Sequence, residues 1–201
     1  MLSKKFVYRA EMVPEKHIVN FWEKYAKLRE KYNTPYVGGR IGSYRRRTIL
    51  PVSHNVMGTV REFSNRFAAD MYFDEVKRIQ KRIMESKPKR GILIPVQVLG
   101  IKENLVLERV YPSISFLDLK RKAINRFWME HFRRIEKKGI NQEHFEKLCE
   151  LAYDELSAII EGKGLDLDWD ESNVLVLDYL PEQKKVVFGL IDIGWSKQTK
   201  H

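Results

Sequence analysis

Apolar residues at Ile18, Phe21, Trp22, Tyr25 and Leu28 recur at helical spacing and predict a helix over 15–32. Turn formers and three glycines follow over 33–43, then a stretch over 44–52 that reads as a strand or hairpin, and a loop around 53–55. A second helical pattern spans 58–86, with Val60, Phe63, Phe67, Met71, Ile79 and Ile83 marking its apolar face. Its end is basic, with Lys77, Arg78, Lys81 and Arg82, which suits a helix C-terminus. The segment 87–91, with Pro88 and Gly91, breaks it.

Two strands are expected next, over 92–100 and 104–111, joined near Gly100. Two helices follow, over 116–138 and 141–161. In the second, Phe145, Leu148, Leu151, Ala152, Leu156, Ile159 and Ile160 face inward, and Gly162 and Gly164 end it. Two final strands, 173–179 and 185–191, are linked by a hairpin loop over 180–184. The pattern is α+β, without internal repeats or low-complexity segments.

Composition narrows the picture. A chain of 201 residues with 43% hydrophobic content suits one domain or two small lobes sharing a cleft. A formal charge of +10 favours an anionic partner, or else reflects a soluble Lys- and Arg-rich surface. Cys149 is the single cysteine, which excludes an intramolecular disulfide and a thiolate zinc site, and its apolar neighbours predict a buried small hydrophobe. No apolar run reaches about 18 residues, so no membrane helix is expected. The N-terminus lacks a signal-peptide core, and the cytoplasm is the expected location. The five histidines show no metal-ligand spacing, and His131 and His144 read as surface residues of helices.

The candidate chemistry lies near the end of the chain. A helix runs through a Gly-containing turn into a loop with Asp166, Asp168, Asp170 and Glu171. Asn173 opens a strand, a hairpin follows, and the second strand leads to Asp192-Ile-Gly194. An isolated Asp or Asn in a loop is often there for turn geometry, and an Asp-x-Gly can be a plain strand end. Here the two half-motifs occur in order, with a helix before and a hairpin between.

This arrangement resembles the protein-kinase-like superfamily, in which a catalytic-loop Asp precedes an Asn by five residues and a hairpin then leads to Asp-Phe-Gly or a variant. The style is that of small atypical members: RIO-type kinases and the aminoglycoside and choline phosphotransferases, with a truncated C-lobe. The resemblance implies a bilobal fold, with a small β-containing N-lobe over 1–108 and a reduced, mainly helical C-lobe over 109–201. It also implies ATP and Mg²⁺ as cofactors. Asn173 and Asp192 would be the metal ligands, since Mg²⁺ prefers oxygen, and Asp168 would orient or deprotonate the acceptor hydroxyl. Strand 104–110 would be the last N-lobe strand and the hinge, with backbone near Glu108 and Val110 meeting the adenine edge. Gly39 and Gly42 would stand for a phosphate-covering loop. Glu75, or Glu62 at the expected helix start, would be the N-lobe helix carboxylate.

The pattern departs from the family in three places. Asp166 stands where His is usual, two residues before the catalytic Asp. No Lys occurs between Lys31 and Lys77, so Arg45, Arg46 or Arg47 would take the place of the strand Lys, with a planar fork instead of a point charge. Seven residues follow Gly194, so no activation segment is expected.

The function expected from the resemblance is an ATP/Mg-binding phosphotransferase or ATPase acting on an unknown protein, small-molecule acceptor or water. Two alternatives stand beside it: a pseudokinase that binds a partner, and a basic nucleic-acid-binding protein carrying Arg45–Arg47, 77–90, 120–122 and 133–138 as its positive surface.

Overall fold

The computed structural model describes residues 13–32, 49–54, 56–111, 113–122, 126–165 and 167–191. Mixed α+β architecture is present, with two four-stranded sheets and five helices among the described residues. The chain forms two compact units, one of residues 1–69 and 97–110, the other of 70–96 and 111–201.

In the first unit, α1 (Glu15–Tyr32) covers a sheet ordered β1-β2-β5-β4, all pairs antiparallel. The strands are β1 (Ile49–Ser53), β2 (Val56–Glu62), β4 (Val98–Lys102) and β5 (Leu105–Val110). Phe21, Trp22 and Tyr25 pack on Val52, Val56, Val60, Leu105 and Leu107. The Phe21 and Trp22 rings meet edge-on at 5.6 Å, an arrangement that adds about 0.5–1.5 kcal/mol to the burial itself.

Residues 58–62 are strand rather than the start of the long helix expected over 58–86. Val56, Thr59 and Val60 are β-branched and fit a pleated sheet, and the helical spacing of Val60 and Phe63 is coincidental. The helix α2 (Arg66–Glu85) begins after Asn65, whose side-chain oxygen accepts the Ala68 amide at 2.9 Å. Its buried face is Ala69, Tyr72, Val76, Ile79 and Ile83, while Phe67 and Met71 are 72% and 44% exposed. The expected stripe through Phe67 and Met71 was therefore rotated around the helix from the true one.

The second unit carries a sheet ordered β3-β8-β7-β6: β3 (Gly91–Ile94), β6 (Ile114–Ser115), β7 (Val174–Leu180) and β8 (Lys185–Leu190). β3 runs parallel to β8, and the other pairs are antiparallel. The single strand expected over 92–100 is thus two strands in two sheets, separated by Pro95, which lacks a ladder donor. The helix expected over 116–138 is also two, α3 (Phe116–Lys120) and α4 (Arg126–Glu136), with Lys122 at a φ of 50° after the first.

Helix α5 (Gln142–Gly162) is capped by the Asn141 side chain, which accepts the His144 amide. It buries Phe145, Cys149, Ala152, Leu156 and Ile160, and it packs on β3 and β8. Gly91 permits this approach: a Cβ there would stand 2.7 Å from the Leu156 side chain. Cys149 is fully buried, and burial pushes its thiol well up, as suits a core residue. No helix among the described residues is long and apolar enough to cross a membrane.

His131 on α4 is 7% exposed, contrary to its expected surface position. Its Nδ1 lies 3.1 Å from Arg134 Nη2, which must donate, so the ring proton sits on Nε2. Arg134 also donates to the Leu177 carbonyl, at the irregularity in β7 between Val176 and Asp178. Lys138 donates to Asp178 and to the Tyr179 carbonyl. Burial, then the Arg134 charge, lower the His131 pKa to about 4, against a smaller upward pull from Asp178. The unfolded chain therefore takes up a proton near pH 6.5 that the folded one refuses, so stability falls as pH drops from about 6.5 towards 4 and the loss levels off below that. The full loss is about 3 kcal/mol. Thermal melts over pH 4–7 should show this slope, and His131→Gln should remove it.

Candidate functional site

Helix α5 ends in a Schellman turn that launches the acidic loop. The Leu165 amide donates to the Ile160 carbonyl at 3.0 Å and the Gly164 amide to the Glu161 carbonyl at 2.9 Å. Gly164 has a φ of 56°, which glycine adopts without strain. Leu165 and Ile160 are both buried, which supplies the apolar contact of this turn.

From there the loop folds on itself. The Asp170 amide donates to the Asp168 carbonyl at 2.9 Å, and the amides of Asn173 and Val174 both donate to the Asp170 carbonyl. Ser172 donates to Asp170 Oδ1 through its amide at 2.8 Å and its hydroxyl at 2.5 Å. Those bonds, the hydroxyl first, hold the Asp170 carboxyl below its usual range and tie it into the loop. Trp169 points back to the helix: its Nε1 donates to Ser157 Oγ at 2.7 Å, and its ring stacks on Tyr153 at 5.0 Å. Tyr153 in turn stacks on Phe116 at 4.3 Å. Burial, then the charge of Glu171, push the Tyr153 hydroxyl up to about 12, so it stays a neutral phenol. Glu171 accepts from Lys120 Nζ at 2.6 Å, and its carbonyl accepts the Leu117 amide, tying the loop to α3.

This anchoring places two of the expected residues together. The Asn173 side-chain nitrogen donates to the Asp168 carbonyl at 3.3 Å, which directs the amide oxygen away from that carbonyl. Asp168 is half-buried, and its neighbour Trp169 fixes the backbone beside it. The Ile191 amide donates to the Asn173 carbonyl at 3.0 Å, one pair beyond the Val174–Leu190 register of the hairpin. The strand leading to Asp192 therefore ends beside Asn173. Asp192 itself, with Asp166, Gly39, Gly42 and Arg47, lies outside the described residues. Among the described residues no group of three or more His, Cys, Asp or Glu could hold a metal ion.

The expected N-lobe residues fall differently. Glu108 sits inside the ladder, with Thr59 and Val98 as its partners on either side. Its backbone belongs to the sheet and is not a free hinge edge. Val110 is the last residue of β5, and the chain passes from the first unit to the second after it. Glu75 is held within its own helix by Arg78, whose Nε and Nη2 donate at 2.7 and 2.5 Å. Glu62 closes β2 and accepts from Arg29 of α1 at 3.2 Å, so it does not start a helix.

One pair escaped the sequence reading. Arg61 Nε donates to Glu108 Oε1 at 3.0 Å, with side chains 10% and 3% exposed. Strand alternation puts Thr59, Arg61 and Glu108 on the face turned away from Val60 and Leu107, the residues that meet α1. Thr59 is 1% exposed, and its hydroxyl has no hydrogen-bond partner among the described residues. A buried carboxylate in a strand read as hinge, and an arginine in a segment read as helix, concealed the pair; the two-residue alternation Met57, Thr59, Arg61 was the available signal.

Neither family models, curated proteins nor solved structures give a match to this chain. The site therefore stands on its geometry. Removing one member of a buried ion pair leaves a stranded charge at a cost of about 3–5 kcal/mol. Arg61→Met and Glu108→Leu should each destabilise by that order in urea unfolding, and the double variant should be more stable than either single one.

Proposed function

We propose that the chain is an ATP- and Mg²⁺-binding protein of kinase-like bilobal fold, acting as a phosphotransferase or ATPase. The observation that carries this reading is the Asp168–Asn173 loop, whose Asn side chain folds back on the Asp168 carbonyl while the strand end before Asp192 bonds to Asn173. The catalytic-loop half of the motif and the approach to the Asp-x-Gly half are thus neighbours through backbone bonds.

Support also comes from the first unit. An antiparallel sheet and a closing strand that ends where the chain changes unit are features the reading requires. Arg61 on β2 is a further strand cation that this reading can weigh beside Arg45, Arg46 and Arg47. Kinases pair their strand Lys with a helix Glu; Arg61 has Glu108 of the adjacent strand as its carboxylate partner. The orphaned Thr59 hydroxyl on the same face suits a polar ligand.

The donor chemistry fits a hard cation: an amide oxygen at Asn173 and a carboxylate at Asp192 are the ligand types Mg²⁺ prefers. When bound, Mg²⁺ would neutralise charge on the phosphate oxygens. Asp168 would orient the acceptor hydroxyl and take its proton. The pseudokinase reading keeps the fold and the nucleotide but omits the transfer; the absence of a Lys between Lys31 and Lys77 favours it.

Differential scanning fluorimetry separates these readings. Mg·ATP at a hundredfold excess over Kd should raise the melting temperature by about 5–10 °C, and Asp192→Ala should abolish the shift. Phosphate release or autophosphorylation lost in Asp168→Ala, with the shift retained, identifies the enzyme. A shift without turnover identifies the pseudokinase. No Mg²⁺-dependent shift, or one that survives Asp192→Ala, refutes both.

A further inference from the structure

The loop over 165–173 is tied to α3 and α5 by contacts of unequal strength. Lys120 and Glu171 pair at 2.6 Å with side chains 45% and 29% exposed, so solvent screens the pair and it holds the loop weakly. The Leu117 amide holds the Glu171 carbonyl, three residues beyond Asp168. Trp169, directly after Asp168, makes two ties at once. Its Nε1 donates to Ser157 Oγ at 2.7 Å, and its ring lies within 20° of parallel to that of Tyr153.

Ser157 is oriented for this contact. Its hydroxyl donates to the Tyr153 carbonyl one turn earlier at 2.9 Å, which turns its lone pairs to the indole. Tyr153 therefore serves twice: its carbonyl orients Ser157 and its ring supports Trp169. The Tyr153 ring is backed in turn by the buried Phe116 ring at 4.3 Å. On the other side of the same peptide unit, the Asp168 carbonyl accepts from the Asp170 amide at 2.9 Å and from the Asn173 side chain at 3.3 Å. The peptide joining 168 and 169 is thus gripped at both ends. Phenylalanine would supply the stack, but not the N–H that reaches Ser157.

We propose that Trp169, acting through Ser157 and Tyr153, is a positioning residue that aims Asp168 at the proton of the phosphoryl acceptor. This rests on the reading of Asp168 as the base. In that step Asp168 receives the acceptor's O–H proton while the acceptor oxygen bonds to the γ-phosphorus. The bridging P–O bond of ATP breaks, and its electron pair leaves with ADP. A base must stay within hydrogen-bond reach of the proton it takes, and a displacement of about 1 Å costs on the order of 100-fold in rate. Asn173 is held separately, by the Ile191 amide on its carbonyl. The Trp169 anchor therefore governs kcat and leaves nucleotide affinity unchanged.

Steady-state phosphate release by the full chain at saturating Mg·ATP tests this, with Mg·ATP affinity measured by titration. Trp169→Phe and Ser157→Ala remove the same hydrogen bond. Each should lower kcat about tenfold with the Mg·ATP Kd within about threefold, and the double variant should be no worse than either. Ser157→Thr keeps the hydroxyl and should recover kcat to within about threefold of the unaltered chain. Trp169→Leu also loses the stack and should lower kcat about 100-fold; if circular dichroism shows it misfolded, the Phe and Ala variants decide. Indole hydrogen exchange by NMR reads the bond without turnover. The Trp169 signal, assigned by its loss in Trp169→Phe, should exchange at least about tenfold faster in Ser157→Ala. Turnover that needs Asp168 but is undiminished in Trp169→Phe and Ser157→Ala overturns the proposal and leaves the base reading standing. Mg·ATP affinity lost in step with kcat also overturns it, since Trp169 would then hold the whole site together. Absence of turnover in the unaltered chain, or turnover that survives Asp168→Ala, removes the base reading and the proposal with it.

Discussion

The seam between α5 and the β3–β8 pair is the contact on which the candidate site depends. Leu156 and Ala152 come close enough to β3 that only a glycine fits at position 91. That seating fixes where α5 ends, and its end fixes where the loop over 165–173 begins. The loop then returns to the same helix through the Trp169 indole and Ser157. Apolar packing therefore sets the position of Asp168 and Asn173, and the loop's own hydrogen bonds set their orientation.

Charge inside the two units is managed in different ways. In the first, Arg61 and Glu108 meet across neighbouring strands on a face where the other residues are apolar or small, so each ion depends on the other. In the second, Arg134 of α4 and Lys138 just after it reach carbonyls where β7 loses its regular register. His131 accepts from Arg134 and stays neutral there. One arrangement pairs two buried ions across neighbouring strands; the other repairs an irregular strand.

Much of the second unit was legible because its signals are local and redundant. Helix α5 has an apolar stripe from Phe145 to Ile160, an Asn cap and two terminal glycines, and the β7–β8 hairpin has largely apolar strands around a Pro-containing turn. The closeness of Asp168 and Asn173 could be expected from their spacing, though the role of Trp169 as the loop's anchor could not, since an aromatic in a loop carries no address. Residues 58–62 were misread because Val60 and Phe63 imitate a helical step across a strand end. The split at Pro95 was missed because both halves are apolar, and only pairing partners distant in sequence send them to different sheets. Burial of His131 and Glu108 depends on tertiary context in the same way.

The chain leaves one unit and re-enters it, crossing at residues 69–70, 96–97 and 110–111. Neither unit is therefore an uninterrupted stretch that could mature alone as it emerges from a ribosome. The β1–β2 ribbon must wait for β5, and β3 must wait for β8, which comes from the far end of the chain. Such late closure makes assembly slow and leaves strand edges open to chaperones or to neighbouring nascent chains until β8 has been made.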